Sequence, residues 1–216
     1  GRKTANIIWG NSASVLVGDF LFSRAFELMV EDGSLKVLKI LSNASAVIAE
    51  GEGSQLTAQR RIETDEDHYL DIIGAKTAAL FAAACRIAAV VAERDNAQEM
   101  ALDSFGRNLG IAFQLVDDAI DYASDEATMG KDAGDDFREG KLTLPVILAL
   151  AEADTEERAF WGRCMKDLEQ TPTDLESARK IIAKHGSIEK GRIIAQDHAA
   201  KARAALNGLP ASETKA

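Results

Sequence analysis

Apolar positions in this chain recur at intervals of three and four, in long stretches, and almost never alternate one by one. That period predicts helices over 5–31, 34–58, 65–94, 96–123, 142–152, 155–169, 173–185 and 187–207. The stretches are filled by Ala, Leu, Glu, Lys, Gln and Arg, all good helix formers. Only three prolines occur (Pro145, Pro172 and Pro210), none of them in the first 144 residues. The expected fold class is therefore all-α, with the whole of 1–216 as one helical domain.

Helix ends are marked by recognisable residues. Asp32-Gly33-Ser34 stops one helix and caps the next, because glycine tolerates a left-handed φ and serine accepts the first free amides. Thr64-Asp65-Glu66-Asp67 places acids in a positive first turn, Asp95-Asn96 caps the following helix, and His185-Gly186-Ser187 separates the last two. The segment Ala123–Lys141 is the one long polar loop, and loops of that size usually carry function.

Composition narrows the class. With 25 basic and 35 acidic residues the formal charge is −10, which opposes a role in binding nucleic acid. The 46% hydrophobic content is ample for a core, and 37 of the residues are alanine. Cys85 and Cys164 are too far apart for a CxxC site and too few for a disulfide scaffold, so a reducing, cytoplasmic setting is expected. Even the alanine-rich stretch Ala78–Ala92 is interrupted by Arg86, so no transmembrane segment is expected, and the start of the chain does not read as a signal peptide.

The most informative window is Gly110–Tyr122, reading GIAFQLVDDAIDY. At about 100° per residue, Gln114, Asp117, Asp118 and Asp121 fall in one sector of roughly 100°. Phe113, Val116 and Ile120 flank that sector on one side, with Ile111, Leu115 and Tyr122 on the other. The acids are expected to occupy a notch in a greasy helix. Asp117 and Asp121 form a like-charge pair four apart, and partly buried acids need cations to stay ionised. Oxygen ligands without His or Cys suit Mg²⁺, which shares carboxylates with phosphate oxygens.

The charge continues into the loop. From Asp117 to Lys141 there are nine acids and three bases, so this window holds −6 of the total and the other 191 residues only −4. Its cations are Lys131, Arg138 and Lys141. Spaced lysines facing a carboxylate trio are what an anionic substrate bridged through metal requires. Lys76-Thr77, after Gly74-Ala75, interrupts an otherwise small, apolar helix; Lys76 either snorkels to the surface or meets a phosphate. His68, His185 and His198 read as structural, since each sits near a helix end or on a polar helix face.

These motifs, taken in order, resemble the trans-isoprenyl diphosphate synthases. Phe113–Tyr122 resembles that family's second aspartate-rich motif, FQxxDDxxD; Gly130–Lys141 resembles the loop after it; Lys76-Thr77 resembles its KT pair; and Asn11–Phe20 resembles the helix before its pocket. The stretch Gly1–Phe20 is most similar to the long-chain branch that makes octaprenyl to decaprenyl diphosphates. The resemblance implies long helices around a central cavity, usually in a homodimer, and condensation of isopentenyl diphosphate with an allylic diphosphate. It also implies that Asp117, Asp118 and Asp121 hold Mg²⁺, that Lys76, Lys131 and Lys141 stabilise the leaving diphosphate, and that Thr77 and Gln114 sit beside it. The family's first aspartate-rich motif is not found in the chain, so these 216 residues by themselves are expected to be inactive in condensation, as part of a longer protein. Two alternatives stay open: a non-catalytic regulatory subunit of a heteromeric synthase, and a synthase of shorter farnesyl or geranylgeranyl chains.

Overall fold

Residues 5–58, 61–123 and 134–210 are described by a computed structural model, and among them there is helix but no strand. The first predicted helix is divided at Gly10, whose φ of +83° separates α1 (Ala5–Trp9) from α2 (Asn11–Asp32). α3 follows over Leu35–Ala58, started by Ser34, whose hydroxyl accepts from the Val37 amide. The chain divides into two compact units, Gly1–Asn43 and Ala44–Ala216. In the first, α2 buries none of its residues, and Val15, Leu16, Phe20, Leu21 and Phe22 are all exposed.

The second unit holds the main core. α4 (Glu66–Ile73) begins at Asp65, whose carboxylate accepts from the His68 amide. It runs through a π-helical turn, Gly74–Ala78, into α5 (Ala79–Val91). By length and composition the run Glu66–Val91 could cross a membrane; here α6 packs along it. α6 (Asn96–Ala123) is capped by Asp95 and is the longest helix of the unit. Inside the predicted loop a short helix, α7 (Asp135–Arg138), forms. α8 (Leu144–Glu152) and α9 (Thr155–Trp161) follow, the latter with a full capping box between Asp154 and Glu157. A second π turn, Gly162–Lys166, ends what periodicity predicts as one helix to 169. α10 (Asp174–Lys184) and α11 (Ser187–Ala205) complete the unit.

α6 is the axis on which the rest is assembled, with α5 on one side and α11 on another. Its approach to α5 depends on Gly106. A Cβ there would lie 2.4 Å from the Phe81 carbonyl oxygen and 2.8 Å from the Ala82 Cα, so only glycine lets the two backbones come this close. On the far side, Leu115 joins Tyr69, Ile73, Leu144, Ile147 and Ala195 in one apolar cluster, while Tyr122 joins a second around Phe137, Val146, Trp161 and Met165. The acidic end of α6 is thereby pinned between two cores.

Candidate functional site

Three local features bring the predicted residues together. The first is the π turn: it inserts one residue into the helix, and such insertions recur at functional positions. It carries Lys76 and Thr77 on its widened wall. The second is Gly51 on α3, where a Cβ would lie 2.8 Å from both the Ala75 Cβ and the Lys76 amide nitrogen. Because Gly51 has none, α3 lies against the π turn and brings Gln55 and Glu52 to Lys76. The Lys76 ammonium donates to Gln55 Oε1 at 2.7 Å and pairs with Glu52 at 3.2 Å. The third is the acidic end of α6.

A cleft of about 150 Å³ opens between these elements and the start of α8. Lys76, Gln114, Asp117, Asp118 and Lys141 of the predicted set line it, joined by Gln55, Tyr69, Asp136 and Thr143, which sequence reasoning did not select. Lys131 lies outside the described residues. Thr77 and Asp121 are not among the lining residues. Thr77 stands one bond back, its hydroxyl donating to Gln114 Oε1 at 2.9 Å. Asp121 faces α7: it accepts from the amides of Gly134 (3.2 Å), Asp135 (3.3 Å) and Asp136 (3.2 Å). It therefore ties the end of the polar loop back onto α6, satisfying amides that a helix start leaves free.

The two remaining acids differ. Asp118 is only 4% exposed; Tyr69 donates to its Oδ2, and Gln114 Nε2 donates to its Oδ1 at 2.8 Å. Asp117 is exposed on the cleft wall. The expectation of apolar flanks on both sides is corrected on one: Leu115 and Tyr122 are buried, but Phe113 and Val116 are 55% and 45% exposed. The Phe113 ring meets Phe81 of α5 at 5.6 Å between centroids, yet Phe113 and Val116 stay largely exposed, so the acids lie at the margin of the apolar surface.

Too many carboxylates share this small space. Asp136 is pushed above the usual carboxylate range, first by burial and then, against the pull of Lys141, by the negative charges of Asp121 and Asp117. Burial pulls the Lys141 ammonium down, but its bonds to Glu139 (2.7 Å) and Asp136 (3.2 Å) prevail and hold it up. Asp118 is pushed up to about 6 from 3.8, first by burial; bonds from Tyr69 and Gln114 oppose the rise, while the charges of Asp136 and Asp117 add to it.

The last shift predicts a pH dependence. Between about pH 4 and 6 the folded protein keeps a proton on Asp118 that the unfolded chain has released, so stability from this group falls as pH rises through that window. Melting temperatures of metal-free wild type and Asp118→Asn, compared from about pH 4.5 to 6.5, should diverge in favour of the variant as pH increases. Parallel curves would show that Asp118 is not the group responsible.

Among the described residues no three acids, histidines or cysteines converge closely enough to form a ready-made metal cage. The all-oxygen donors and surplus negative charge of Asp117, Asp118 and Asp136 nevertheless suit a hard divalent cation whose other ligands come from a phosphate or water. The histidines lie elsewhere: His185 contacts Glu157 at 2.8 Å and His198 contacts Asn108 at 3.0 Å.

Residues 1–182 match the family described as Polyprenyl synthetase. The octaprenyl diphosphate synthase of Haemophilus influenzae is 42% identical over 215 residues, a match covering 100% of this chain and 65% of that protein. The crystal structure of a decaprenyl diphosphate synthase from Rhodobacter capsulatus superposes with a TM-score of 0.94 at 50% identity, covering 100% of this chain and 66% of that one. A polyprenyl synthase from Caulobacter crescentus CB15, solved with calcium and isoprenyl diphosphate, gives 0.95 at 51% identity, with the same coverage of 100% and 66%. The chain thus spans a little under two thirds of the length of each, and the fold is the all-α isoprenoid-synthase fold that the sequence implied.

Proposed function

The chain belongs to the polyprenyl synthetase family, and on that premise we propose that it is the greater part of a trans-prenyltransferase. The reaction joins isopentenyl diphosphate to an allylic diphosphate and so elongates a trans-polyprenyl diphosphate. The observation that carries this reading is the cleft itself: cationic Lys76 and Lys141 face it from the π turn and the loop end, and Asp117 and Asp118 face it from α6. An arrangement with both signs of charge around one small cavity suits a polyanion bound together with divalent cations.

In this reading Asp117, with Asp118 and Asp121 behind it, would hold Mg²⁺. Bound there, the metal supplies Lewis acidity that makes the diphosphate a better leaving group. The protein's own groups do the rest. Lys76 exchanges its partners Gln55 and Glu52 for phosphate oxygens, and Lys141 does the same with Asp136 and Glu139. In the same reading Lys131, which lies outside the described residues, supplies a third ammonium group. These ammonium groups meet negative charge that grows as the C–O bond breaks, so their effect falls on the transition state more than on binding. Gln114, fixed by Thr77 on one side and Asp118 on the other, presents a preset amide at the cleft wall.

The likeness to octaprenyl and decaprenyl synthases supports a long-chain product, suited to quinone side chains. A homodimer in the cytoplasm is also part of the proposal, the dimer supported by the exposed apolar side chains of α2 and the reducing setting by the two free cysteines, Cys85 and Cys164. Incubating the full-length parent with farnesyl diphosphate, isopentenyl diphosphate and Mg²⁺ should give products of octaprenyl to decaprenyl length by mass. Products that stop at geranylgeranyl diphosphate would contradict the length, and no elongation would favour a non-catalytic subunit.

A further inference from the structure

We propose that Tyr69 is a positioning residue for the acidic helix: through Asp118 it sets the orientation in which Asp117 meets divalent cation. The inference rests on the site reading above and extends it to a residue outside the carboxylate and lysine motifs.

Tyr69 is 4% exposed, on α4, two turns before Lys76. Its hydroxyl reaches across to α6 and donates to Asp118 Oδ2. The other oxygen of Asp118 is taken by Gln114 Nε2 at 2.8 Å, and Gln114 Oε1 in turn accepts from Thr77 Oγ1 at 2.9 Å. These three bonds form one relay, Thr77 to Gln114 to Asp118 from one side and Tyr69 to Asp118 from the other. It ties α4, the π turn and α6 together at the level of the cleft.

The relay has a chemical consequence. With both oxygens held by protein donors, Asp118 cannot swing into the cleft without leaving a buried phenol and a half-buried amide unpaired, which is costly. Asp118, although it lines the cleft, is thus fixed as a support, and the exposed residue beside it on α6, Asp117, is the one left to meet a cation. Polar partners that orient ligands in this way usually change metal affinity by 10- to 100-fold when removed, although they never touch the metal. Tyr69 is suited to the task because it has no negative charge to add to a crowded acidic site.

The test is a double-mutant cycle in the full-length protein, read by manganese binding in the presence of inorganic pyrophosphate with electron paramagnetic resonance. Tyr69→Phe is expected to weaken Mn²⁺ binding about 10-fold. In an Asp118→Ala background the same change should cost nothing further, because the acceptor through which Tyr69 acts is gone. The rate of Tyr69→Phe should also recover when Mg²⁺ is raised, which a general loss of structure would not allow. Equal Mn²⁺ affinity for wild type and Tyr69→Phe, or additive losses in the double variant, would overturn the assignment of Tyr69 alone. Failure of wild type to bind Mn²⁺ with pyrophosphate would instead remove the metal site, and this inference with it.

Discussion

Asp117→Ala should lower the condensation rate of the full-length protein by roughly 10²- to 10³-fold at saturating Mg²⁺, the scale seen when one electrostatic contact to a developing charge is removed. Three observations single this carboxylate out. Asp118 has both oxygens engaged by Tyr69 and Gln114, and Asp121 is held by three amides of the loop end. Asp117 is the member of the trio that is exposed on the cleft wall, and no hydrogen bond to it is among those described. Its removal should leave melting temperature nearly unchanged, since it also relieves repulsion with Asp118 and Asp136. A rate within a few-fold of wild type would show that another group carries the metal.

The second large effect concerns folding. Gly106→Ala is expected to destabilise the protein by about 2–3 kcal/mol, although alanine is favoured over glycine in a helix by about 1 kcal/mol. The added Cβ would sit 2.4 Å from the Phe81 carbonyl oxygen and 2.7 Å from its carbon. Those are backbone atoms of α5, which cannot rotate aside as a side chain would. Relief requires α5, which continues from the π turn that carries Lys76, to move away from α6. Urea denaturation should therefore give a lower midpoint with an unchanged slope. A midpoint at or above that of wild type would mean that the close helix crossing is wrongly described.

Periodicity carried most of the fold because amphipathic helices leave a direct trace in the order of residues. The starts at Ser34, Asp65 and Asp95 follow from side chains that accept nearby amides. Departures from regular helix are less visible. The π turns at Gly74–Ala78 and Gly162–Lys166 keep an apolar pattern close to the α-helical one, so one inserted residue is masked. Gly10 reads like any helix glycine until its φ is known. α7 is too short to generate a period and owes its position to Asp121, which accepts from its first amides.

The candidate site divides along the same line. Lys76, Gln114, Asp117 and Asp118 stand out because they interrupt apolar stretches, and Lys141 because it is a spaced cation in an acidic loop; all five line one cleft. Tyr69 and Asp136 do not stand out, since a tyrosine in an apolar face looks like core and one more acid in an acidic loop looks like solvent surface. What distinguishes them is contact that the order of residues does not show, Tyr69 with Asp118 on another helix and Asp136 with Lys141 and Asp121. Even then Tyr69 left one hint, its place two turns before Lys76 on the predicted helix. The open flank at Phe113 and Val116 left none, because an apolar residue gives no sign of whether anything covers it.

Whether α6 uses Asp117 to bring a divalent cation to a diphosphate is decided most directly by crystallising the full-length protein with Mn²⁺ and an unreactive allylic diphosphate analogue. Anomalous scattering should locate manganese between the Asp117 carboxylate and the diphosphate, with the ammonium groups of Lys76 and Lys141 turned to the phosphate oxygens. Bound analogue with the Asp117 carboxylate directed into bulk water, and no manganese beside it, would contradict the account.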